Sequence, residues 1–140
     1  HSVDSAKLLE ALDRHAADAG RTLRALVQVN VSGERAKSGL APAAVPDVLA
    51  LADRLRNVRI VGLMTIPPLA EDPETARPFF RKLRELRDGW AAATGFDLAE
   101  LSMGMTHDLD VAVAEGATFV RVGTGIFGAR ARPAEGAEEA

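Results

Sequence analysis

Short apolar runs alternate with amphipathic segments along this chain, and the alternation predicts a regular α/β fold. Four runs rich in valine, leucine and isoleucine are typical of buried strands, at residues 23–31, 58–66, 98–103 and 118–122. Four segments with apolar residues at three- and four-residue spacing predict helices, at about residues 5–17, 42–55, 72–94 and 106–115. Helices and strands that alternate with short connections favour a parallel sheet with right-handed crossovers.

Capping residues indicate where the predicted helices begin and end. Asp4 or Ser5 can cap the first helix, and Thr106 can cap the last one. Gly20 and Gly95 suit the ends of the first and third helices. The third helix carries an apolar stripe that is typical of core packing: Phe79, Phe80, Leu83, Leu86 and Trp90.

Composition narrows the function classes open to this chain of 140 residues, which is long enough for one domain with a core. A net charge of −3 leaves no electrostatic footprint for nucleic acid. No apolar run reaches the length of a membrane span. The absence of cysteine excludes disulfides and thiolate catalysis and favours a cytoplasmic location. The histidines at 1, 15 and 107 show no metal-ligand spacing, so no metal site is predicted.

Two loops rich in small residues follow the last two predicted strands. The first contains Ser102 within the run Ser-Met-Gly-Met, and the second contains Gly123 and Thr124 within Gly-Thr-Gly. Glycine lets a backbone N–H approach an anion closely, and a hydroxyl adds a neutral donor. Because ligands of α/β proteins lie at the carboxyl ends of the strands, we expect these groups to converge on one phosphate site.

Arg121 is an unusual residue for a strand that lies between layers. Side chains alternate faces along a strand, so Phe119, Arg121 and Gly123 share one face. A buried arginine is unfavourable unless it is paired or bound to a ligand. Two interpretations remain open: a fixed positive charge that faces the ligand, or a structural salt bridge to a buried carboxylate.

Several motifs resemble the pyridoxal phosphate homeostasis protein family when they are taken together and in order. The C-terminal signature is formed by Leu-Ser-Met-Gly-Met at 101–105 and Val-Arg-Val-Gly-Thr-Gly-Ile-Phe-Gly at 120–128. Upstream matches are His-Ser-Val-Asp at 1–4, Val-Gln-Val-Asn-Val-Ser at 27–32, Lys-Ser-Gly at 37–39 and Gly-Leu-Met-Thr-Ile at 62–66. The resemblance covers residues 1–130, nearly the whole chain.

The resemblance implies a fold, a cofactor and a set of binding residues. The family is a single (β/α)8 barrel of the TIM type, related to the N-terminal domain of alanine racemase, and it binds pyridoxal 5′-phosphate. Ser102, Gly123 and Thr124 match the positions that hold the cofactor phosphate, and Arg121 matches the arginine that faces the pyridine nitrogen. A guanidinium does not give up a proton, so it would keep that nitrogen unprotonated and weaken the ring as an electron sink.

The resemblance also implies what this chain lacks. The first three strands of the family barrel, and the Schiff-base lysine at the end of its first strand, match no residue here. Lys7, Lys37 and Lys82 do not correspond to that lysine, and Lys37 by itself is typical of a solvated loop charge. We therefore expect residues 1–130 to form the C-terminal half of a barrel, followed by a disordered tail at 131–140. Two sheet edges would then need a partner, either a complementary N-terminal half or a second copy of the chain.

Three functions remain to be separated. The first is a protein of intracellular cofactor homeostasis, a carrier or regulator in which no catalytic residue is identified. The second is a pyridoxal phosphate-dependent enzyme of the amino-acid racemase type, although racemases of that type use a tyrosine and the chain contains none. The third is a half-barrel that binds another phosphate ligand, such as a flavin or a sugar phosphate, with Arg121 purely structural.

Overall fold

Four parallel strands form a single sheet in a computed structural model that describes residues 1–130; the predicted tail at 131–140 lies outside the described residues. The strands pair in the sequence order β1-β2-β3-β4. Their bounds are β1 Leu23–Gln28, β2 Val58–Met64, β3 Glu100–Met105 and β4 Phe119–Arg121. The helices are α1 Ala6–Asp18, α2 Val45–Ala52, α3 Arg77–Thr94, α4 Leu109–Ala114 and α5 Thr124–Phe127. The predicted alternation and the parallel sheet are confirmed.

The N-terminal residues add a short parallel segment beside β1, at the edge of the sheet opposite β4. The Val3 amide donates to the Leu26 carbonyl at 3.0 Å, and the Gln28 amide donates to the Val3 carbonyl at 2.8 Å. These bonds place Val3 in register with Val27. Strands that follow one another in space in sequence order, with helices between them, form a segment of a (β/α) barrel.

Helix boundaries follow the capping residues in most places. The Ser5 hydroxyl accepts from the Leu8 amide at 3.1 Å, as predicted for the first helix. Two helices begin later than predicted, because the segments Pro42–Ala44 and Pro73–Ala76 form 3₁₀ turns before α2 and α3. Thr106 does not cap α4, and that prediction is wrong: Asp108 is the N-cap residue, and the Thr106 hydroxyl accepts from the Gly125 amide instead.

The core lies between one face of the sheet and the helices. Alternate residues of each strand point into it and are buried: Ala25, Val27 and Val29 on β1 and just beyond it, Leu63 on β2, Leu101 and Met103 on β3. From the predicted stripe of α3, Phe80 and Leu83 are fully buried, while Phe79, Leu86 and Trp90 pack against the cluster while partly exposed. The assignment of this stripe to the core is confirmed.

The opposite, inner face of the sheet carries a row of residues in register. Gln28 lies beside Met64, Met64 beside Ser102, and Ser102 beside Phe119. His1 reaches across this face: its Nδ1 lies 3.0 Å from the Ser102 hydroxyl, and its ring packs edge-on against Phe119 with 5.2 Å between centroids. This face corresponds to the interior of a closed barrel, and it leads to the carboxyl ends of the strands.

A buried carboxylate joins α3 to α4 on the outer side of the fold. Glu115, at the end of α4, is 4% exposed and forms ion pairs with Arg77, Arg81 and Arg84 of α3 at 3.0–3.2 Å. Hydrogen bonds from Arg81 and Arg77 hold the pKa of Glu115 below its ordinary value, although desolvation acts in the opposite direction. The cluster fixes α4, and with it the loop after β3, against the longest helix.

Candidate functional site

A cavity of about 770 Å³ opens at the carboxyl ends of β2, β3 and β4. Its walls come from the loop after β2, the loop after β3 and the segment from Gly123 to Arg130. Apolar side chains form much of the lining, together with the backbone of Gly123. The polar and charged residues of the lining are Lys37, Asp72, Thr106, His107, Asp108, Thr124 and Arg130. This is the end of a parallel sheet at which α/β proteins bind ligands.

The two small-residue loops meet at one point of the cavity wall. The Gly125 amide donates to the Thr106 hydroxyl at 3.0 Å. A Cβ atom at Gly125 would lie 2.9 Å from the methyl carbon of Thr106, so only glycine permits this approach. At Gly123, by contrast, a Cβ would meet no heavy atom within 4 Å, which leaves open space over the backbone. The site therefore offers glycine amides and threonine hydroxyls beside an open volume.

Arg121 extends from β4 along the inner face and is held by neutral groups. Its Nη1 donates to the Ser102 hydroxyl at 2.8 Å, and its Nη2 donates to the Thr65 carbonyl at 3.0 Å. Within residues 1–130 it forms no ion pair, so the salt bridge to a buried carboxylate, left open above, is not found there. Burial lowers the pKa of Arg121, and the charge of Asp108 opposes that shift. The guanidinium is thus a half-buried charge that forms no ion pair among the described residues, although the charge of Asp108 acts on it.

Ser102 lies with Arg121 rather than on the cavity wall. Its side chain is 0% exposed, and its hydroxyl is in contact with Arg121 on one side and His1 on the other. Gly123 and Thr124 line the cavity, whereas Ser102 is not among the described residues that do so. The structure therefore brings Gly123 and Thr124 together at the cavity and Ser102 and Arg121 together on the inner face. Convergence of Ser102, Gly123 and Thr124 on one anion, with Arg121 beside it, stays a prediction.

Thr106 lines the site, although the sequence predicted a different role for it. It was predicted to be a helix cap, but its hydroxyl faces the Gly-Thr-Gly loop and it lines the cavity. The sequence feature that could have indicated a site residue was a hydroxyl directly after Ser-Met-Gly-Met. Helix capping explained it equally well in sequence, because threonine is a common N-cap residue.

Lys37 lines the same cavity from the loop after β1. That loop is organised by Asn30, whose side-chain oxygen accepts from the Ser32 hydroxyl at 3.1 Å and the Gly33 amide at 3.1 Å. The Asn30 amide group donates in turn to the Glu34 carbonyl at 2.7 Å. Lys37 is partly buried and borders the site, which differs from the solvated loop charge that its type suggested.

Across residues 1–130, no group of three or more histidine, aspartate or glutamate side chains could hold a metal ion. None of the described helices has both the length and the apolar character that crossing a bilayer requires.

The fold and site define the class of protein. The family model described as "Alanine racemase, N-terminal domain" matches residues 1–131, and the chain belongs to that family. The prediction of a partial (β/α) barrel of the alanine racemase N-terminal type is therefore confirmed.

Relatives within this class bear out the resemblance stated above. A pyridoxal phosphate homeostasis protein of Aquifex aeolicus is 45% identical over 130 residues, which are 93% of this chain and 57% of that protein. A pyridoxal phosphate homeostasis protein of Pseudomonas aeruginosa is 42% identical over 130 residues, which are 93% of this chain and 55% of that protein. The chain thus spans about half the length of the curated relatives that it matches.

Solved structures agree. PipY of Synechococcus elongatus PCC7942, whose structure has PLP bound, superimposes with a TM-score of 0.83 at 40% identity and covers 91% of this chain and 59% of that one. Diaminopimelate decarboxylase of Helicobacter pylori superimposes with a TM-score of 0.69 at 14% identity, over 86% of this chain and 38% of that chain. The second likeness concerns the fold alone.

Proposed function

We propose that this chain binds pyridoxal 5′-phosphate and serves intracellular cofactor homeostasis. One observation carries the proposal: the half-buried Arg121 has no counter-ion within residues 1–130 and lies at the same strand ends as the Gly123–Thr124 loop. A cofactor with an anionic phosphate and an aromatic nitrogen acceptor can satisfy both features. The relatives named above and the PLP-bound PipY support the choice of this cofactor over other phosphates.

The phosphate would lie over the open backbone at Gly123. Amides of this loop and the hydroxyls of Thr124 and Thr106 are donors suited to a phosphate, and the absence of a Cβ at Gly123 leaves room for one. Lys37, which also lines the cavity, adds a positive charge nearby. Ser102 is also one of the proposed cofactor-binding residues. Its role depends on the hydrogen bond that its hydroxyl accepts from Arg121.

Arg121 would hold the ring nitrogen. Two of its N–H groups are engaged by Ser102 and Thr65, and a guanidinium has five, so others remain for an acceptor. When bound, the cofactor supplies an electrophilic aldehyde and a ring that withdraws electrons. Because a guanidinium does not release a proton to the ring nitrogen, it limits that withdrawal, which suits a carrier better than a catalyst.

No residue of this chain is assigned as the covalent attachment point or as a catalytic group. The racemase-type alternative is less supported, because the relatives at 45% and 42% identity are homeostasis proteins, whereas the enzyme likeness named above is at 14%. A cytoplasmic location is part of the proposal and rests on the cysteine-free composition. A partner is also part of the proposal: a complementary half-barrel or a second copy of the chain would cover the open sheet edge.

Titration of the 140-residue chain with pyridoxal 5′-phosphate tests the proposal. We expect saturable binding and a shifted absorbance band between roughly 330 and 430 nm, because the protein changes the environment of the chromophore. Flavin mononucleotide and a sugar phosphate are the matched competitors. Saturable binding of either one, with none of pyridoxal 5′-phosphate, would favour the third function named in the sequence analysis and reject this proposal.

A further inference from the structure

We infer that Ser102 is a positioning residue: its hydroxyl orients the guanidinium of Arg121 toward the ligand and does not itself hold the phosphate. The inference rests on the proposed function and deepens it, because it separates two roles within the binding set.

The Ser102 hydroxyl has a protein partner on each side. Ser102 is 0% exposed, and its oxygen accepts a hydrogen bond of 2.8 Å from Nη1 of Arg121. Nδ1 of His1 lies 3.0 Å away on its other side. A guanidinium can only donate, so the hydroxyl must accept from it, and its own proton is then free to point to His1. Both polar contacts of the hydroxyl therefore lie inside the protein.

The second step is the separation of Ser102 from the cavity. Gly123, Thr124 and Thr106 line the cavity wall, and the described lining residues do not include Ser102. The hydroxyl of Thr106, four residues further along, meets the Gly-Thr-Gly loop directly through the Gly125 amide. A phosphate over that loop therefore has a hydroxyl at hand without Ser102.

The third step is the consequence for Arg121. Its long side chain has several rotatable bonds, and within residues 1–130 two neutral groups, the Ser102 hydroxyl and the Thr65 carbonyl, fix its end. A hydrogen bond to a charged group is among the stronger kinds. When it is buried, it fixes the orientation of the charged group as well as stabilising it. Removal of the Ser102 hydroxyl would leave the guanidinium anchored to the Thr65 carbonyl alone.

The test compares two ligands on the 140-residue chain and its Ser102→Ala variant. We expect pyridoxal 5′-phosphate to bind about tenfold more weakly to the variant, the scale of one charged hydrogen bond. Inorganic phosphate, measured by displacement of the cofactor, should bind within about twofold of the unsubstituted chain. Thr106→Val is the matched control, and it should weaken both ligands.

A double-mutant cycle with Arg121→Lys provides the second readout. If Ser102 acts through Arg121, Ser102→Ala should weaken cofactor binding by less than about twofold once Arg121 is already changed. Additive losses would contradict the inference. Side-chain ¹⁵N spectra of the unsubstituted chain give a third readout that needs no folded variant: guanidinium rotation should be slow at Arg121, and free rotation would overturn the inference.

The outcomes distinguish the inference from the proposed function. If Ser102→Ala weakens inorganic phosphate as strongly as Thr106→Val does, Ser102 contacts the phosphate directly; the inference is then wrong and the proposed function stands. Unchanged cofactor binding in Ser102→Ala also overturns it. If the unsubstituted chain binds no pyridoxal 5′-phosphate, the proposed function and the inference both fail.

Discussion

The guanidinium of Arg121 donates to the main-chain carbonyl of Thr65 at 3.0 Å, so a β4 side chain is anchored just beyond the end of β2. Thr65 is itself fixed, because its amide donates to the Ser102 carbonyl at 3.1 Å and its hydroxyl donates to the Val29 carbonyl at 2.8 Å. Neutral groups on neighbouring strands therefore hold the charged guanidinium in place. A positive charge that is fixed in position but not neutralised is suited to binding an acceptor group of a ligand.

Arg121→Ala should weaken cofactor binding much more than it weakens folding. The charge is partly desolvated without a counter-ion within residues 1–130, so its removal relieves a penalty that offsets the two lost hydrogen bonds. We expect a change of about 1 kcal/mol or less in the free energy of unfolding and a loss of more than about tenfold in affinity. Denaturation and cofactor titration measure the two quantities.

Arg24→Ala is the matched control for this prediction, since Arg24 is an exposed strand arginine paired with Glu100. It should change neither quantity appreciably, because exposed ion pairs contribute little. A large loss of stability in Arg121→Ala, with affinity unchanged, would mean that Arg121 serves the fold.

Gly123→Ala should leave folding intact and weaken anion binding. The new methyl would meet no protein atom within 4 Å, and the φ of −104° lies outside the left-handed region that favours glycine. A phosphate bound over this backbone would meet the methyl. We expect unchanged thermal unfolding and a several-fold rise in the dissociation constant of inorganic phosphate.

The control for that variant is Gly89→Ala, on the exposed side of α3, where a Cβ also meets no atom within 4 Å. Alanine in a helix interior should raise the free energy of unfolding by about 0.5–1 kcal/mol without any effect on binding. If both alanine variants bind phosphate equally well, the anion does not lie at Gly123.

The order of elements, the parallel sheet and the core stripe of α3 could be predicted because each depends on local periodicity. Apolar residues recur along α3 at helical spacing, and Phe80 and Leu83 are indeed buried. The partners of Ser102, Thr106 and Arg121 could not be predicted in this way. Ser102 and Arg121 are 19 residues apart in sequence. Their contact depends on which strands lie side by side, and a hydroxyl has the same sequence signal whether it caps a helix or faces a loop.

Glu115→Gln should destabilise the fold through the α3–α4 contact. The variant leaves Arg77, Arg81 and Arg84 without their shared carboxylate. Removing one partner of a buried ion pair is costly, but these arginines touch water, so we expect a loss of about 2 kcal/mol at neutral pH. Glu74→Gln, which removes an exposed partner of Arg77, should leave the free energy of unfolding nearly unchanged, because exposed ion pairs contribute little.

The same pair of variants predicts a pH dependence. The pKa of Glu115 is lowered in the folded state, chiefly by the hydrogen bond from Arg81. Its contribution is therefore complete above the ordinary carboxyl value of 4.5 and is lost as the pH falls through the lower folded value. The stability difference between the unsubstituted chain and Glu115→Gln should shrink below pH 4.5. A difference that is constant with pH would show that the carboxylate charge is not responsible.

The last prediction concerns the open edge at β4. Among the described residues β4 pairs only with β3, and the apolar side chains at and after it are exposed: Phe119 39%, Val120 39%, Ile126 69% and Phe127 85%. The inner face beside β1 and β2 is more closed, since Leu26 is 3% and Met64 is 5% exposed. At about 25 cal/mol per Å², several hundred Å² of exposed apolar surface corresponds to about 10 kcal/mol, comparable with the stability of a domain. We therefore expect the edge at β4 to be the surface that a partner covers.

Light scattering on the purified 140-residue chain should accordingly show a dimer or a larger species, unless a complementary half-barrel chain is supplied. Ile126→Lys should shift the population toward monomer, because it places a charge on the surface that would be covered. Val113→Lys is the matched control, since Val113 is also an exposed helical residue, at 56%, but lies on α4, which contacts β3 and α3. It should leave the association state unchanged. A monomer that unfolds cooperatively, and is insensitive to Ile126→Lys, would show that the chain needs no partner at β4.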